Sequence, residues 1–410
     1  MRTGVCGNGL RYAVLRRPGA VGYCALTVGC GTRDEGEFPS GIAHFTEHTL
    51  FKGTLRKRAS DINNCLEHLG GELNAYTTKE EIVLHATVLK EDLRKAASLL
   101  LELAGEATFP DAAVETERGV VIDEILSYKD APADEVYDRF EEMLFAGHPL
   151  GRPVLGTVRS VRSITPERLR AFHAARFVPQ RMALTLVADL DEARMETLAQ
   201  KLSDRSGLSE NPRADTLLRT PFPGLAAPFE KSVEKRNHEV NAVLGGLAPG
   251  LYSGPDRIAT VLLCNLVGGP ASNSLLGGLL RERYGWVYGV ECNYTQYADT
   301  GMVAISFGCE RPNLERCLAK IDGELAKLRE TALTPRRLQA AKRQLLGQLL
   351  ISAASGEAQA LSMGKSLLAF QCIHTEAQIR ESVLAVSAEQ LQALSARIFA
   401  PEQLSRLVFL

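Results

Sequence analysis

Gly41-Ile42-Ala43-His44-Phe45-Thr46-Glu47-His48 is the stretch on which the reading of this chain turns. His44 and His48 stand four apart, about one turn of an α-helix at ~3.6 residues per turn, so both imidazoles leave one face. Two imidazoles in that register can ligate a single metal ion. Glu47, directly before the second histidine, is the right group to take a proton from a water activated by that ion. Three fixed positions make a short pattern. The rest of the chain must therefore supply what a hydrolytic metal centre needs, a third protein ligand and an open position for water.

Carboxylates suit the third role, and a candidate pair lies downstream in Glu117-Arg118-Gly119-Val120-Val121-Ile122-Asp123-Glu124-Ile125. Glu117 and Glu124 are seven residues apart, two helical turns, and share a face. Val120, Val121 and Ile125 give that helix an apolar side to pack. One glutamate would bind metal, and the other would orient a ligand or water from behind it. The spacing alone does not say which.

The H-x-x-E-H order is the inverted zinc-peptidase signature. Together with Phe51-Lys52-Gly53-Thr54 and Gly70-Gly71-Glu72-Leu73-Asn74-Ala75-Tyr76-Thr77, it resembles the pitrilysin/insulysin family of zinc peptidases, in particular the short-chain branch similar to mitochondrial processing peptidase. The separation of 76 residues between His48 and Glu124 (124 − 48) is similar to the family's spacing. The resemblance implies that His44, His48 and Glu124 bind Zn²⁺, that Glu47 is the general base, and that Glu117 supports catalysis. It also implies that Asn74 and Ala75 hold an extended peptide along a sheet edge, a mode that gives affinity through main-chain hydrogen bonds.

Bulk properties narrow the alternatives. The 410 residues suffice for two domains. With 47 basic against 49 acidic residues there is no electrostatic footprint for nucleic acid. No apolar run approaches the ~20 residues of a membrane span. The N-terminal residues lack the apolar core of a signal peptide, so a chain that starts at its natural methionine is expected to stay in the cytoplasm, whereas one trimmed of a leader would look the same. Nine scattered cysteines without a C-x-x-C pair read as free thiols.

The chain also repeats itself. Ile164-Thr165-Pro166-Glu167 leading through Phe177 and Pro179 to the strand Ala183–Val187 is echoed by Val386-Ser387-Ala388-Glu389, Phe399, Pro401 and Leu407–Leu410, at an offset of 222 (389 − 167). Pro110–Arg118 is echoed by Pro335–Arg343, at an offset of 225 (335 − 110). At the second offset Glu117 and Glu124 become Lys342 and Leu349, so the second half keeps the architecture without the metal site. An apolar occupant is expected there, because a buried carboxylate is costly without a metal or partner.

Each half reads as α+β, a mixed or antiparallel sheet covered by helices on one face. Expected strands are 10–15, 23–28 and 81–89, then 239–247 and 301–308. Expected helices are 42–52, 59–69, 91–106, 111–128 and 167–175, then 256–267, 313–329 and 335–352. Residues 1–205 form the catalytic half and 229–410 the second. The proline-rich stretch 206–228 is the linker between them and a hinge candidate.

Arg281-Glu282-Arg283-Tyr284-Gly285-Trp286-Val287-Tyr288 is the second constellation. Arg281 and Tyr288, seven apart, are similar to the arginine and tyrosine that the family brings to its active site from the second half. Such groups would hold the substrate and stabilise the developing oxyanion. Arg283 competes for the arginine role. Because one chain carries both the metal motif and this pair, the resemblance implies a self-sufficient zinc endopeptidase. It would be a homodimer cutting peptides or unfolded segments in a chamber, with no nucleic-acid or membrane partner. The competing reading is a non-catalytic or partner-dependent subunit of a processing-peptidase-like complex.

Overall fold

The computed structural model of the chain describes residues 1–208, 219–224, 226–235 and 239–410. Part of the expected linker 206–228, namely 209–218 and 225, lies outside the described residues.

Eleven strands are described. They are β1 (Arg2–Val5), β2 (Arg11–Arg16), β3 (Val21–Val28), β4 (Glu72–Thr77), β5 (Ile82–Leu89), β6 (Met182–Ala188), β7 (Glu230–Val233), β8 (Val240–Ala248), β9 (Val287–Gln296), β10 (Gly301–Cys309) and β11 (Ser405–Phe409). They form two sheets, ordered β1-β2-β6-β3-β5-β4 and β7-β11-β8-β10-β9. Apart from β1 the two orders correspond strand for strand. In both, the first pair is parallel (β2 with β6, β7 with β11) and the remaining neighbours are antiparallel. The α+β architecture and the internal repeat read from the sequence are therefore present in three dimensions.

The long helices fall where their periodicity placed them. Asp111–Tyr128 and Pro335–Ser352 have the expected bounds, and Ile42–Leu50 ends two residues earlier than expected. The strand β9 and the helices Pro132–Leu144 and Gly356–Phe370 were not anticipated. β9 carries Gly289, Glu291 and Asn293 among its apolar residues, which blurs its alternation.

The sheets differ from expectation on their second face. A sheet covered on one side only would leave every other residue of β3 and β6 wet. Yet Met182–Ala188 is buried throughout, as in a strand packed on both faces. In the first unit, Ala13, Ala25, Val83, Ala183 and Val187 pack against Ala360, Met363 and Leu367 of the helix Gly356–Phe370. The three alanines on the sheet and Gly364 on the helix permit a close approach. A Cβ at Gly364 would lie 2.4 Å from Thr27 Oγ1. In the second unit, Val136, Phe140 and Leu144 of the helix Pro132–Leu144 pack on Val243, Met302, Ala304, Leu407 and Phe409.

The compact units consequently exchange segments. One comprises Met1–Leu126, Arg152–Thr220 and Ile351–His374, the other Ser127–Gly151, Pro221–Leu350 and Thr375–Leu410. Dividing the chain into 1–205, 206–228 and 229–410 does not express this exchange, because each unit borrows the helix that covers its sheet from the other side of the linker. His85 belongs to the covered face, where its Nδ1 meets Glu357 at 3.0 Å. All nine cysteines are free.

Candidate metal centre and peptidase site

The helix Ile42–Leu50 packs Ile42, Phe45, Thr49 and Leu50 into the first unit's interior, so its remaining face carries His44, Glu47 and His48. The helix Asp111–Tyr128 is anchored by Val114, Val121 and Ile125 and brings Glu117 and Glu124 to the same place. His44 Nε2 lies 3.7 Å from Glu124 Oε2, and His48 Nε2 lies 3.4 Å from it. The two rings meet edge to face with centroids 4.5 Å apart. One ligand atom from each of the three residues falls within 4.8 Å of the others.

Two imidazoles and a carboxylate form a fitting zinc donor set, and the spacing agrees. Ligand atoms about 2.0–2.1 Å from a tetrahedral ion stand about 3.3–3.4 Å apart. Burial, reinforced by the neighbouring His48, pushes the His44 imidazole down to about 3, so at neutral pH it offers a lone pair instead of a charge.

Glu117 has different contacts from Glu124. Its Oε1 lies 2.9 Å from His48 Nδ1, and its Oε2 pairs with Lys52 Nζ at 2.7 Å. With Nδ1 donating to Glu117, His48 presents an unprotonated Nε2 toward Glu124. The geometry thus separates the two glutamates that the spacing left open.

Glu47 is only 9% exposed, and its Oε2 accepts a hydrogen bond from Thr77 Oγ1 at 3.0 Å. Burial raises its carboxyl above the usual carboxylate range, opposed by His48 and by the Thr77 hydroxyl. A buried glutamate shifted toward neutrality suits proton transfer.

Thr77 ends β4, which among the described residues pairs only with β5 and is the edge of its sheet. Asn74 and Ala75 sit mid-strand opposite His85 and Leu84. This edge therefore ends beside Glu47. Thr77 and Lys52 carry no sequence signal for these contacts.

Arg281 and Tyr288 belong to the second unit, whereas His44, Glu47, His48, Glu117 and Glu124 belong to the first. Arg281 lies in the helical turn Gly277–Arg283 and pairs with its neighbour Glu282 at 2.9 Å. Tyr288, near the start of β9, is 71% exposed. Arg283 packs over the ring of Tyr284, which itself stacks on Trp286.

The second half's counterparts depart from expectation. Leu349 is 38% exposed at the surface, so no apolar plug replaces a ligand there. Lys342 is buried and donates from Nζ to the Leu384 carbonyl at 2.7 Å.

Comparison with known proteins identifies the family. Residues 12–158 match the sequence profile of insulinase (peptidase family M16), and residues 163–345 match that of the peptidase M16 inactive domain. An uncharacterized zinc protease of Mycobacterium leprae is 33% identical over 378 residues, spanning 90% of this chain and 82% of that protein. Another, from Bacillus subtilis, is 29% identical over 399 residues, spanning 97% and 95%. Among solved structures, a protease from Helicobacter pylori shares the fold with a TM-score of 0.92 at 20% identity, covering 100% of this chain and 99% of that one. The two profile matches, the inverted motif and the full-length likeness to zinc proteases lead to one conclusion: this chain belongs to the M16, or insulinase, family of peptidases.

Proposed function

We propose that the protein is a zinc-dependent endopeptidase acting on peptides or unfolded segments. The observation that carries this reading is the convergence of His44 Nε2, His48 Nε2 and Glu124 Oε2, with Glu47 beside them in a hydrogen bond to Thr77. Bound there, zinc would polarise the scissile carbonyl and acidify a water. Glu47 takes the proton from the attacking water and passes it to the departing amine. Glu117 holds His48 in the ligating tautomer, and Lys52 holds Glu117. Asn74 and Ala75 would pair with an extended substrate along the edge strand β4, which supplies affinity with little demand on sequence. Arg281 and Tyr288 are assigned to binding the substrate and its developing oxyanion, a role that the exposure of Tyr288 supports. A homodimer enclosing a chamber rests on the family likeness and completes the proposal.

Metal analysis with a peptide assay tests it. The wild-type chain should hold one zinc, and His48→Ala none, with loss of cleavage. Stoichiometric zinc in His48→Ala would remove that residue from the ligand set. Zinc at one per wild-type chain without any cleavage would favour the partner-dependent subunit.

A further inference from the structure

The helix that carries the metal motif begins without a cap of its own. Its N-cap residue is Gly41, with φ of 88° and no side-chain hydrogen bond. No other residue fits easily, since a Cβ there would lie 2.7 Å from the Leu155 carbonyl oxygen and 2.8 Å from Gly156 Cα. The N-terminal N–H groups of a helix need acceptors. Here the acceptor comes from six residues upstream. Glu35 Oε1 accepts from Gly41 N at 2.8 Å and from Ala43 N at 3.3 Å, directly before His44. Glu35 is fully buried, and its other oxygen lies 3.7 Å from Arg152.

The loop that carries Glu35 is itself fastened on two sides. Asp34 receives a two-pronged bond from Arg219, with both contacts at 2.9 Å. Arg33, almost wholly buried, pairs with Glu80 at 2.7 Å and donates to the Thr220 carbonyl at 2.9 Å. The backbone N–H groups of Thr32 and Arg33 donate to Thr78 and Lys79. Gly31 approaches so closely that a Cβ would sit 2.4 Å from the Thr78 carbonyl oxygen. Those residues follow Thr77, which holds Glu47. The 31–35 loop therefore fixes the start of the metal helix and is stitched to the segment that holds its general base.

We infer that Glu35 is a positioning residue, which sets the placement of His44, Glu47 and His48 by capping their helix from outside it. The inference rests on the zinc-peptidase reading. Glu35 lies outside the candidate ligand set His44, His48 and Glu124 and acts through the backbone of Gly41 and Ala43.

Zinc affinity, by competition with a chromophoric chelator, and the visible spectrum of the cobalt-substituted protein test this. Glu35→Asp keeps the carboxyl group but is one methylene shorter and cannot hold both N–H groups. Glu35→Gln keeps the length and an acceptor oxygen. Gly364→Val serves as a control that lowers stability elsewhere in the unit. Glu35→Asp should lose about tenfold in zinc affinity, the low end for residues behind a ligand, and alter the cobalt spectrum. Glu35→Gln should stay near wild type. Gly364→Val should melt earlier with affinity and spectrum intact. Wild-type affinity and spectrum in Glu35→Asp would overturn the inference, as would an equal loss in Gly364→Val. A wild-type chain that binds no zinc would instead sink the peptidase reading itself.

Discussion

Removing Glu117 should weaken zinc binding although Glu117 is no ligand in this account. Its carboxylate is buried, lies 2.9 Å from His48 Nδ1 and is balanced by Lys52 at 2.7 Å. A hydrogen bond to a charged group contributes about 1.5–3 kcal/mol. Groups behind a metal-bound histidine typically change affinity by about 10–100-fold, or roughly 1.4–2.7 kcal/mol. The two ranges overlap, so the expectation is well bounded. Glu117→Ala should sit near the hundredfold end, because it strands Lys52 and frees the His48 ring to rotate. Glu117→Gln retains an acceptor oxygen without the charge and should sit near tenfold. A chelator competition measures both, with thermal melts of the metal-free proteins run alongside to separate binding from folding. If Glu117→Ala bound zinc as tightly as wild type, the orienting role would be refuted. If it bound no zinc at all, Glu117 would be a ligand in its own right and the division of labour between the two glutamates would be wrong.

Three further predictions follow from single contacts. Thr77→Val removes the hydroxyl that stabilises the Glu47 carboxylate, so the acidic limb of the activity profile should move to higher pH and kcat/KM fall about five- to tenfold, with zinc content unchanged; an unmoved limb would contradict the contact's role. His173, packed between Phe109 and Phe177, is pushed by burial down to about 4 from 6.5. Its folded pKa is depressed, so its contribution is complete above the unfolded value and is lost as pH falls from about 6.5 to about 4, roughly 3 kcal/mol in all; His173→Phe should flatten that part of a denaturation-versus-pH curve, and an unchanged slope would count against it. Gly364→Val should cost about 1–3 kcal/mol by overpacking against Thr27 and lower the melting temperature, whereas an unchanged melt would mean that the helix Gly356–Phe370 docks more loosely than described.

The metal centre was legible in the sequence because its chemistry is periodic. Residues 44 and 48 share one helix face, as do 117 and 124, and helical packing brings the two faces together. What spacing could not assign was the difference between Glu117 and Glu124. That depends on which oxygen faces Nδ1 and which faces Nε2, a matter of tertiary geometry. The helices that cover the second faces of the sheets left no periodic signal of their destination. The apolar continuity of β6 reveals in retrospect that something must cover both sides. β9 escaped notice because an edge strand with Tyr288, Glu291 and Asn293 exposed does not alternate cleanly. Glu35 was invisible for a different reason. A capping group six residues before the helix carries no pattern until the loop between them is folded.

The central claim is that Glu47 is the proton-transferring group of a zinc peptidase. Cleavage of a quenched peptide library by the purified chain, with and without a chelator and beside Glu47→Gln at equal zinc content, tests it most directly. The account predicts chelator-sensitive cleavage by the wild type and loss of most turnover in Glu47→Gln, which still holds its zinc. Full cleavage by the zinc-loaded Glu47→Gln protein, or wild-type cleavage untouched by the chelator, would contradict it.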